Sequence, residues 1–254
     1  MAHRTMTDGR YPGIVTLAPP EHIGVVRRIF TTSHGRYDFL NHFLSLRRDV
    51  GWRSATVAAM RFGRTDRFLD VATGTADLAI AAARRWPAVT VTGIDFAEPM
   101  LAVGRAKVRD AGLADRITLS EGDAMSLPFP DGSFDVAAVA FGLRNMPDKR
   151  RALAEMARVV VPGGQVMVLE MTFAPAPLFR PLYSFYLGSL LPRLARLVAR
   201  DPATYYYLAD SIRHFPQPSA LAALMEEAGL RRVRYHRLTF GTAYLHIGYT
   251  SGRR

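Results

Sequence analysis

Short apolar segments alternate with stretches of helical periodicity through the middle of the chain, and this alternation constrains the fold more than any other feature. Five segments predict strands: 68–73, 89–95, 117–123, 134–141 and 165–171. Several of them are apolar on both faces, which is typical of a parallel sheet covered by helices. Because strands and helices alternate, the chain is predicted to form a doubly wound α/β sheet with helices on both faces.

Two prolines mark where the intervening helices are expected to begin. After Pro99, the residues Leu101, Gly104 and Val108 share one helical face. Pro147 is expected to begin a second helix, which a Pro-Gly-Gly sequence would stop. The apolar positions of that helix are Leu153, Met156, Ala157 and Val160.

The flanking regions complete the expected organisation. Residues 1–20 are expected to form a loose leader, and residues 21–254 a single domain. Within that domain we expect helices in 21–66, the alternating core in 67–175, a helical addition in 176–218, and a last helix with two strands in 219–254. The last two strands are expected to pair antiparallel, so the complete sheet would have seven strands and be mostly parallel.

The charge of the chain is unevenly distributed. Lys and Arg number 33 against 22 Asp and Glu, a net charge of +11, and the excess lies before residue 67 and after residue 175. An anionic surface that contacts both end regions and a solubilising Arg-rich surface explain this equally well. In the segment 178–200, Arg193, Arg196 and Arg200 lie between leucines at helical spacing, so transient membrane docking and packing as a lid or dimer surface both stay open.

The sequence also excludes some chemistry and some locations. The chain has no cysteine, which excludes disulfides, cysteine-ligated zinc and thiol catalysis. No stretch has the length and apolar character of a signal peptide or a membrane span, so we expect a cytoplasmic protein that docks at most peripherally at the inner face of the membrane.

The turn after the first predicted strand indicates a nucleotide-like cofactor. In this turn, residues 70–78, Gly74 allows a close backbone approach and Thr75 offers a hydroxyl and an amide. Asp95 ends the second strand, where a carboxylate accepts both hydroxyls of a ribose. After the third strand, the Asp123 carboxylate and the Ala124 N–H suit an adenine ring.

The missing motifs narrow the choice of cofactor. The turn has neither G-x-G-x-x-G nor the lysine of a P-loop, and it carries Asp77, so it suits a free amine better than a phosphate. S-adenosylmethionine has a ribose, an adenine and an amino-acid end. The alternative for the turn alone is an ordinary strand-to-helix connection with a capping threonine.

Several longer motifs carry a resemblance to a known family. They are YDFLNHFLSL (37–46), DVATGTADL (70–78), GDAMSLPFPDGSFD (122–135), FGLRN (141–145), RVVVPGGQVMVLE (158–170), SIRHFP (211–216) and the final TAYLHIGYT. In this order they resemble the ubiquinone/menaquinone biosynthesis C-methyltransferases, which have the Rossmann-like class I methyltransferase fold. FGLRN and YDFLNH are much more specific than the turn at 70–78.

The resemblance implies a cofactor site for S-adenosylmethionine, which leaves as S-adenosylhomocysteine, and no metal. The expected cofactor-binding residues are Asp70, Gly74, Thr75, Asp95, Phe96, Asp123, Ala124 and Ala140. Two positions depart from the family pattern. Ala76 replaces a common glycine, so its methyl group is expected to crowd the methionine end, and Ala140 replaces a common serine, so one hydrogen bond is expected to be lost.

The resemblance also implies the reaction: methylation of a ring carbon of a polyprenyl quinol, either demethylmenaquinol or a ubiquinol precursor. Arg144 and Asn145 are the first candidates beside the reacting atoms. A guanidinium stays charged, so Arg144 is expected to stabilise a phenolate or hold a water; its alternative is a structural ion pair. His214 is the second candidate for the proton acceptor, against a simple surface role. Tyr37, Asn41 and Arg213 are expected to line the quinol site.

Other functions and partners stay open at this point. A methyltransferase that acts on another phenol, or on oxygen or nitrogen, is the nearest alternative. A nucleic-acid methyltransferase or binder is disfavoured, since the central region is almost neutral and no RNA-recognition motif is present. A scaffold without catalysis and a homodimer are left open.

Overall fold

The computed structural model describes residues 24, 45, 47–173, 176–186, 189 and 203–252. The expected leader, the candidates Tyr37 and Asn41, and the three arginines of the segment 178–200 lie outside the described residues. Within the described part, no helix has the length and apolar character needed to cross a membrane.

One seven-stranded sheet organises the described residues. Its strands are β1 (Arg67–Val71), β2 (Thr90–Asp95), β3 (Ile117–Glu121), β4 (Phe134–Ala140), β5 (Val160–Met171), β6 (Arg231–Leu238) and β7 (Ala243–Tyr249). They lie in the order β3-β2-β1-β4-β5-β7-β6. The first five strands are parallel, and β7 runs antiparallel to both β5 and β6. The predicted mostly parallel sheet and its antiparallel end are confirmed.

Helices cover both faces of this sheet. They are α1 (Arg48–Ala59), α2 (Asp77–Arg85), α3 (Glu98–Asp110), α4 (Lys149–Val159), α5 (Arg180–Phe185), α6 (Ala203–His214) and α7 (Pro218–Glu227). Two apolar clusters lie on opposite faces: α1, α2 and α3 contribute to one, and α4 and α7 to the other. Every residue of β4 before Ala140 is buried, because a central parallel strand is covered on both sides. The doubly wound architecture is confirmed.

The helix expected at Pro147 differs from the prediction at both ends. Asp148 caps it by accepting the Arg151 N–H at 2.9 Å, so α4 begins after this aspartate rather than at the proline. At its other end, Val160 belongs to β5 and not to the helix. The Pro-Gly-Gly sequence lies inside an irregular part of β5, where the register against β4 shifts and Gly163 has a φ of 82°.

A glycine in α3 allows this helix to pack closely against the loop after β1. A Cβ atom at Gly104 would lie 3.0 Å from the Leu119 side chain and 3.3 Å from the backbone at Gly74 and Thr75. By contrast, Gly51 in α1 has nothing within 4 Å of its Cβ position. The two helical glycines therefore differ only in what surrounds them.

We expect Gly51→Ala to stabilise the protein and Gly104→Ala to destabilise it. Alanine favours a helix by about 1 kcal/mol over glycine at either position. At position 104 the new methyl group meets backbone that cannot rotate away, and overpacking costs ~1–3 kcal/mol. Urea unfolding of both variants measures the difference, and equal stabilisation by the two substitutions would contradict the close contact.

Candidate active site

A cleft of about 260 Å³ opens at the carboxyl edge of the parallel strands. Its walls come from the ends of β1, β2 and β4 and from the segment that follows β3. Such an edge is where open α/β sheets bind ligands, because the strand ends and the first turns of the following helices converge there. All eight residues expected to bind the cofactor line this cleft: Asp70, Gly74, Thr75, Asp95, Phe96, Asp123, Ala124 and Ala140.

Two buried carboxylates hold the loop between β1 and α2. Asp70 accepts the Thr73 hydroxyl at 2.7 Å and the Ala79 N–H at 3.1 Å. Asp95 accepts the Gly74 N–H at 2.8 Å through one oxygen, while its other oxygen accepts a backbone N–H at the start of the next helix. Each carboxylate oxygen has more than one lone pair, so Asp95 keeps acceptor capacity for a ligand in the cleft.

Burial weakens the acidity of both groups. Desolvation raises the pKa of Asp70 to about 7 and that of Asp95 to about 6, although the hydrogen bonds they accept act in the opposite direction. Buried carboxylates with raised pKa values destabilise the folded state once they ionise. Groups of this kind cluster in functional sites, where a ligand makes use of their charge.

The same loop has an unusual backbone. Ala72, Gly74 and Ala76 have φ angles of 54°, 55° and 67°, in the left-handed region that side chains with a Cβ disfavour. Phe141, at the end of β4, has a φ of 61° and lines the cleft beside this loop. Strained residues therefore surround one end of the cleft, as they commonly do at sites that a fold holds in one geometry.

Ala76 does not have the effect expected from the sequence. Its side chain is fully buried in the apolar cluster and is not among the residues that line the cleft. Its methyl group therefore packs in the core rather than along the cleft, and the left-handed φ at this non-glycine residue costs backbone strain. Ala140 does line the cleft, at the end of β4, where a methyl group stands in place of a hydroxyl.

Asp123 and Ala124, which follow β3, also line the cleft. The Asp123 side chain accepts the Met125 N–H at 2.8 Å in a tight turn. This turn lies next to apolar side chains of the cleft. The apolar neighbours are Phe96, Met125 and Met146.

Arg53 is a cleft residue that the sequence analysis missed. It lies in α1, pairs with buried Asp49, and places its Nη2 3.7 Å from the Asp77 carboxylate. Its guanidinium lies 5.1 Å from the centre of the Phe141 ring. Asp77 also pairs with Lys107. One end of the cleft thus presents both a cation and a carboxylate, which suits a zwitterion.

Arg53 had one signal in the sequence. It follows Trp52 within the region 21–66, where helices with arginine pairs were expected, but nothing in one sequence indicates which arginine of a helix points toward a sheet edge.

The turn after β4 carries Arg144 and Asn145, and of these two Asn145 lines the cleft whereas Arg144 does not. Asn145 lines the cleft and accepts the Tyr207 hydroxyl at 2.9 Å. Arg144 lies beneath the surface, 4% exposed, and pairs with Glu170 at 2.7 Å. The ion pair that the sequence left as an alternative for Arg144 is therefore present, and its guanidinium lies 5.9 Å from the Phe141 ring centre.

A second cation lies near this ion pair. The Lys149 ammonium donates to the Met146 carbonyl at 2.9 Å, and its attraction to Glu170 partly offsets the burial that lowers its pKa. Burial raises the pKa of Glu170 to about 7, against the opposing effect of Arg144 and Lys149. Glu170 is the last residue of the RVVVPGGQVMVLE motif. An acidic residue near the carboxyl end of an apolar strand was therefore the sequence feature that could have indicated this buried carboxylate.

The remaining candidates are not brought to the cleft. Arg213 and His214 are exposed at the end of α6, and neither is among the cleft-lining residues. The His214 ring lies 3.0 Å from the Asp210 carbonyl and 2.9 Å from its carboxylate, one turn earlier in the same helix. The quinol-site candidates Tyr37 and Asn41 lie outside the described residues.

Comparison with known proteins identifies the family. Residues 20–250 match the model of the ubiE/COQ5 methyltransferase family. The chain belongs to this family. A demethylmenaquinone methyltransferase of Thermus thermophilus is 44% identical over 87% of this chain and 99% of its own length. A ubiquinone/menaquinone biosynthesis C-methyltransferase of Methylobacterium nodulans is 41% identical over 98% of both chains.

Solved structures agree on the fold. A SAM-dependent methyltransferase of Thermotoga maritima has a TM-score of 0.63 at 18% identity and covers 88% of this chain and 99% of its own. The [4+2]-cyclase SpnF has a TM-score of 0.60 at 21% identity, with 79% and 80% covered. Since a cyclase shares the architecture, the fold alone does not determine the reaction. The family match does, and the prediction of an S-adenosylmethionine-dependent methyltransferase is confirmed.

The groups in the cleft fit this cofactor chemically. Asp95 offers carboxylate oxygens for ribose hydroxyls, the wall at Asp123 offers polar edges between apolar faces for adenine, and Arg53 with Asp77 offers opposite charges for the amino-acid end. No group of three or more His, Cys, Asp or Glu suited to a metal occurs in the described ranges.

We expect Arg53→Gln to weaken the binding of S-adenosylhomocysteine but not that of 5′-methylthioadenosine, which lacks the amino-acid end. Loss of a charge-assisted hydrogen bond costs ~1.5–3 kcal/mol, or about 10- to 100-fold in affinity. Calorimetry with both ligands measures the effect.

A surface arginine provides the control for this experiment. Arg105→Gln removes an exposed arginine that pairs with Glu98 and is expected to change neither affinity. An equal loss for both ligands in Arg53→Gln would contradict the contact with the amino-acid end.

Proposed function

We propose that this protein transfers a methyl group from S-adenosylmethionine to a ring carbon of a polyprenyl quinol, either demethylmenaquinol or a ubiquinol precursor. The observation that carries the proposal is the shared cleft: Asn145 of the FGLRN motif lines the same cavity as the eight cofactor candidates. The names of the relatives from Thermus and Methylobacterium support a quinol as the acceptor.

The cleft residues would hold the cofactor in one orientation. Asp95 would accept hydrogen bonds from the ribose hydroxyls, and Asp123 and Ala124 would contact the adenine. Gly74 and Thr75 would border the methionine end, where Arg53 would bind the carboxylate. When bound, the cofactor supplies an electrophilic methyl group on a sulfonium. Alignment of two reactants in one cleft supplies about 7–11 kcal/mol toward the transition state.

Positive charge beneath the cleft would activate the acceptor ring. A ring carbon becomes nucleophilic when the neighbouring hydroxyl loses its proton to solvent, so the protein must favour a phenolate. The carbon–methyl bond would form as the methyl–sulfur bond breaks, which leaves a neutral thioether. The hydrogen of the methylated carbon would then leave as a proton and restore the ring hydroxyl, so one proton is released overall. Arg144 is a buried cation paired with Glu170, and Lys149 is a half-buried cation that both Glu170 and Asp148 attract. Because a guanidinium keeps its proton, Arg144 acts by electrostatic stabilisation rather than as a base, and the low dielectric of the interior strengthens its effect.

A methyl-transfer assay tests the reaction. Labelled S-adenosylmethionine is offered together with demethylmenaquinol, demethoxyubiquinol-type rings, a simple phenol and RNA. We expect label on a quinol ring carbon alone. Label on RNA, or on the oxygen of any acceptor, would contradict the proposal. In the same assay Arg144→Ala should lower turnover at least ~100-fold while S-adenosylhomocysteine still binds, and unchanged turnover would remove Arg144 from the mechanism.

We also propose that an apolar face docks transiently on an anionic membrane, where a polyprenyl tail resides. This face consists of Leu178, Leu182, Phe185 and Phe240, which are 97%, 59%, 57% and 63% exposed. Stacking of Phe179 on Phe240, with ring centres 5.0 Å apart, joins its two segments. A cluster of exposed apolar side chains is unusual for a surface that meets only water, and basic residues strengthen binding to anionic lipid.

Vesicle cosedimentation tests the docking. We expect Leu182→Glu with Phe185→Glu to lower the partition onto phosphatidylglycerol vesicles at least ~10-fold, since burial of each side chain contributes about 1.5–3 kcal/mol. Val50→Glu changes another exposed apolar residue outside the apolar face and serves as the control. Equal binding of the wild type to neutral phosphatidylcholine vesicles would exclude a role for lipid charge.

A further inference from the structure

The turn that carries Arg144 and Asn145 is held from two sides by side chains that have no assigned role. On one side, Glu170 of β5 accepts a hydrogen bond from Arg144 Nη1 at 2.7 Å, with 3% and 1% of the two side chains exposed. On the other side, the hydroxyl of buried Tyr207 in α6 donates to Asn145 Oδ1 at 2.9 Å. The partners lie 26 and 62 residues away along the chain.

The ion pair is not the arrangement that stability alone would favour. Apolar side chains of similar size often replace a buried ion pair without loss of stability, because they avoid the desolvation of two charges. Here Arg144 Nε and Glu170 Oε2 are buried and have no hydrogen-bond partner in the described part of the chain. A pair that leaves polar atoms unsatisfied needs a further reason for its presence.

The hydrogen bond from Tyr207 orients the Asn145 amide. A carboxamide has one acceptor oxygen and one NH₂ donor group. Oδ1 is held by the Tyr207 hydroxyl, and the NH₂ group is the donor that Asn145 can offer to a ligand in the cleft that it lines. A donor suits an anionic ring oxygen, whereas a carbonyl oxygen would repel it.

We propose that Glu170 and Tyr207 are positioning residues for methyl transfer. Glu170 fixes the Arg144 guanidinium beneath the cleft, and Tyr207 orients the Asn145 amide so that its NH₂ group faces the anionic ring oxygen of the acceptor. Neither residue touches the substrate; each acts through its partner in the turn. This inference rests on the proposed quinol reaction, because it needs an acceptor that develops negative charge on oxygen.

Two double-mutant cycles test the proposal. One cycle contains Glu170→Gln, Arg144→Gln and the double variant; the other contains Tyr207→Phe, Asn145→Ala and the double variant. For each protein, kcat and KM are measured with a short-tailed demethylmenaquinol, and Kd with S-adenosylhomocysteine. We expect Glu170→Gln and Tyr207→Phe to lower kcat ~10- to 100-fold, as misplacement by about 1 Å does, while KM and Kd stay within about threefold.

The two cycles distinguish an effect that Glu170 or Tyr207 exerts through its hydrogen-bond partner from a general effect on the structure. If Glu170 and Tyr207 act through the turn, each double variant is no slower than its Arg144 or Asn145 single variant. Multiplied losses, or single variants with kcat within about twofold of the wild type, would overturn the proposal. The double Arg144→Gln, Glu170→Gln variant removes both charges of the pair, so neither Arg144 nor Glu170 is left buried as an unpaired ion, and it is expected to be more stable than either single variant.

Asp135→Asn controls for the alteration of a buried polar group. Asp135 accepts backbone N–H groups of residues 63–66 at the opposite edge of the sheet, away from the cleft. This variant is expected to leave kcat unchanged. If Arg144→Gln and Asn145→Ala stay active, the proposed reaction mechanism fails; if only Glu170→Gln and Tyr207→Phe stay active, the positioning role alone fails.

Discussion

The hydrogen bonds that Asp70 and Asp95 accept from the loop after β1 are the constraint on which the rest of the site depends. The two residues lie in neighbouring strands whose register places Asp70 opposite Gly93, so the loop is tied to two strand ends at once. The loop needs this support, because Ala72 and Ala76 hold left-handed conformations that they would not adopt alone. The fixed path of the loop forms one wall of the cleft. Helix α3 packs against the same loop, because Gly104 has no side chain at the contact. Desolvation at this position raises the pKa values of both carboxylates. A ligand that donates hydrogen bonds to their oxygens offsets part of this desolvation.

The sequence predicted the fold well because its information is local. Strand and helix periodicity repeat along the chain, and parallel strands necessarily end at one edge, which is why residues as distant as Thr75 and Asp123 could be placed in one cleft. The details it missed depend on contacts between distant segments. Nothing in one sequence pairs Arg144 with Glu170 or directs Arg53 toward the cleft, and the burial of Ala76 follows from a left-handed φ that the residue type disfavours. The start of α4 was misplaced because a capping aspartate overrides the proline beside it.

The sheet and the FGLRN turn contribute differently to the site: proteins with other reactions share the sheet, whereas contacts of this chain position the turn. A [4+2]-cyclase has the same fold as this protein, so the sheet and its cofactor edge do not decide which acceptor reacts. In this chain the turn after β4 is tied to β5 by Glu170 and to α6 by Tyr207. The second contact joins the turn to the helical addition after β5, which also supplies most of the apolar face. The turn that carries Asn145 is therefore held both by a strand of the shared sheet and by a helix outside it.

The charge balance beneath the cleft sets a limit on how strongly Glu170 can hold Arg144. A carboxylate that fully neutralised the guanidinium would fix its geometry but remove the field that favours a phenolate. Burial raises the pKa of Glu170, against the opposing effect of Arg144 and Lys149. Glu170 therefore ionises less readily than an exposed carboxylate. Under the proposed mechanism, Glu170 would hold the Arg144 guanidinium through their 2.7 Å contact, and the combined charge of Arg144 and Lys149 would leave a positive field for a phenolate in the cleft.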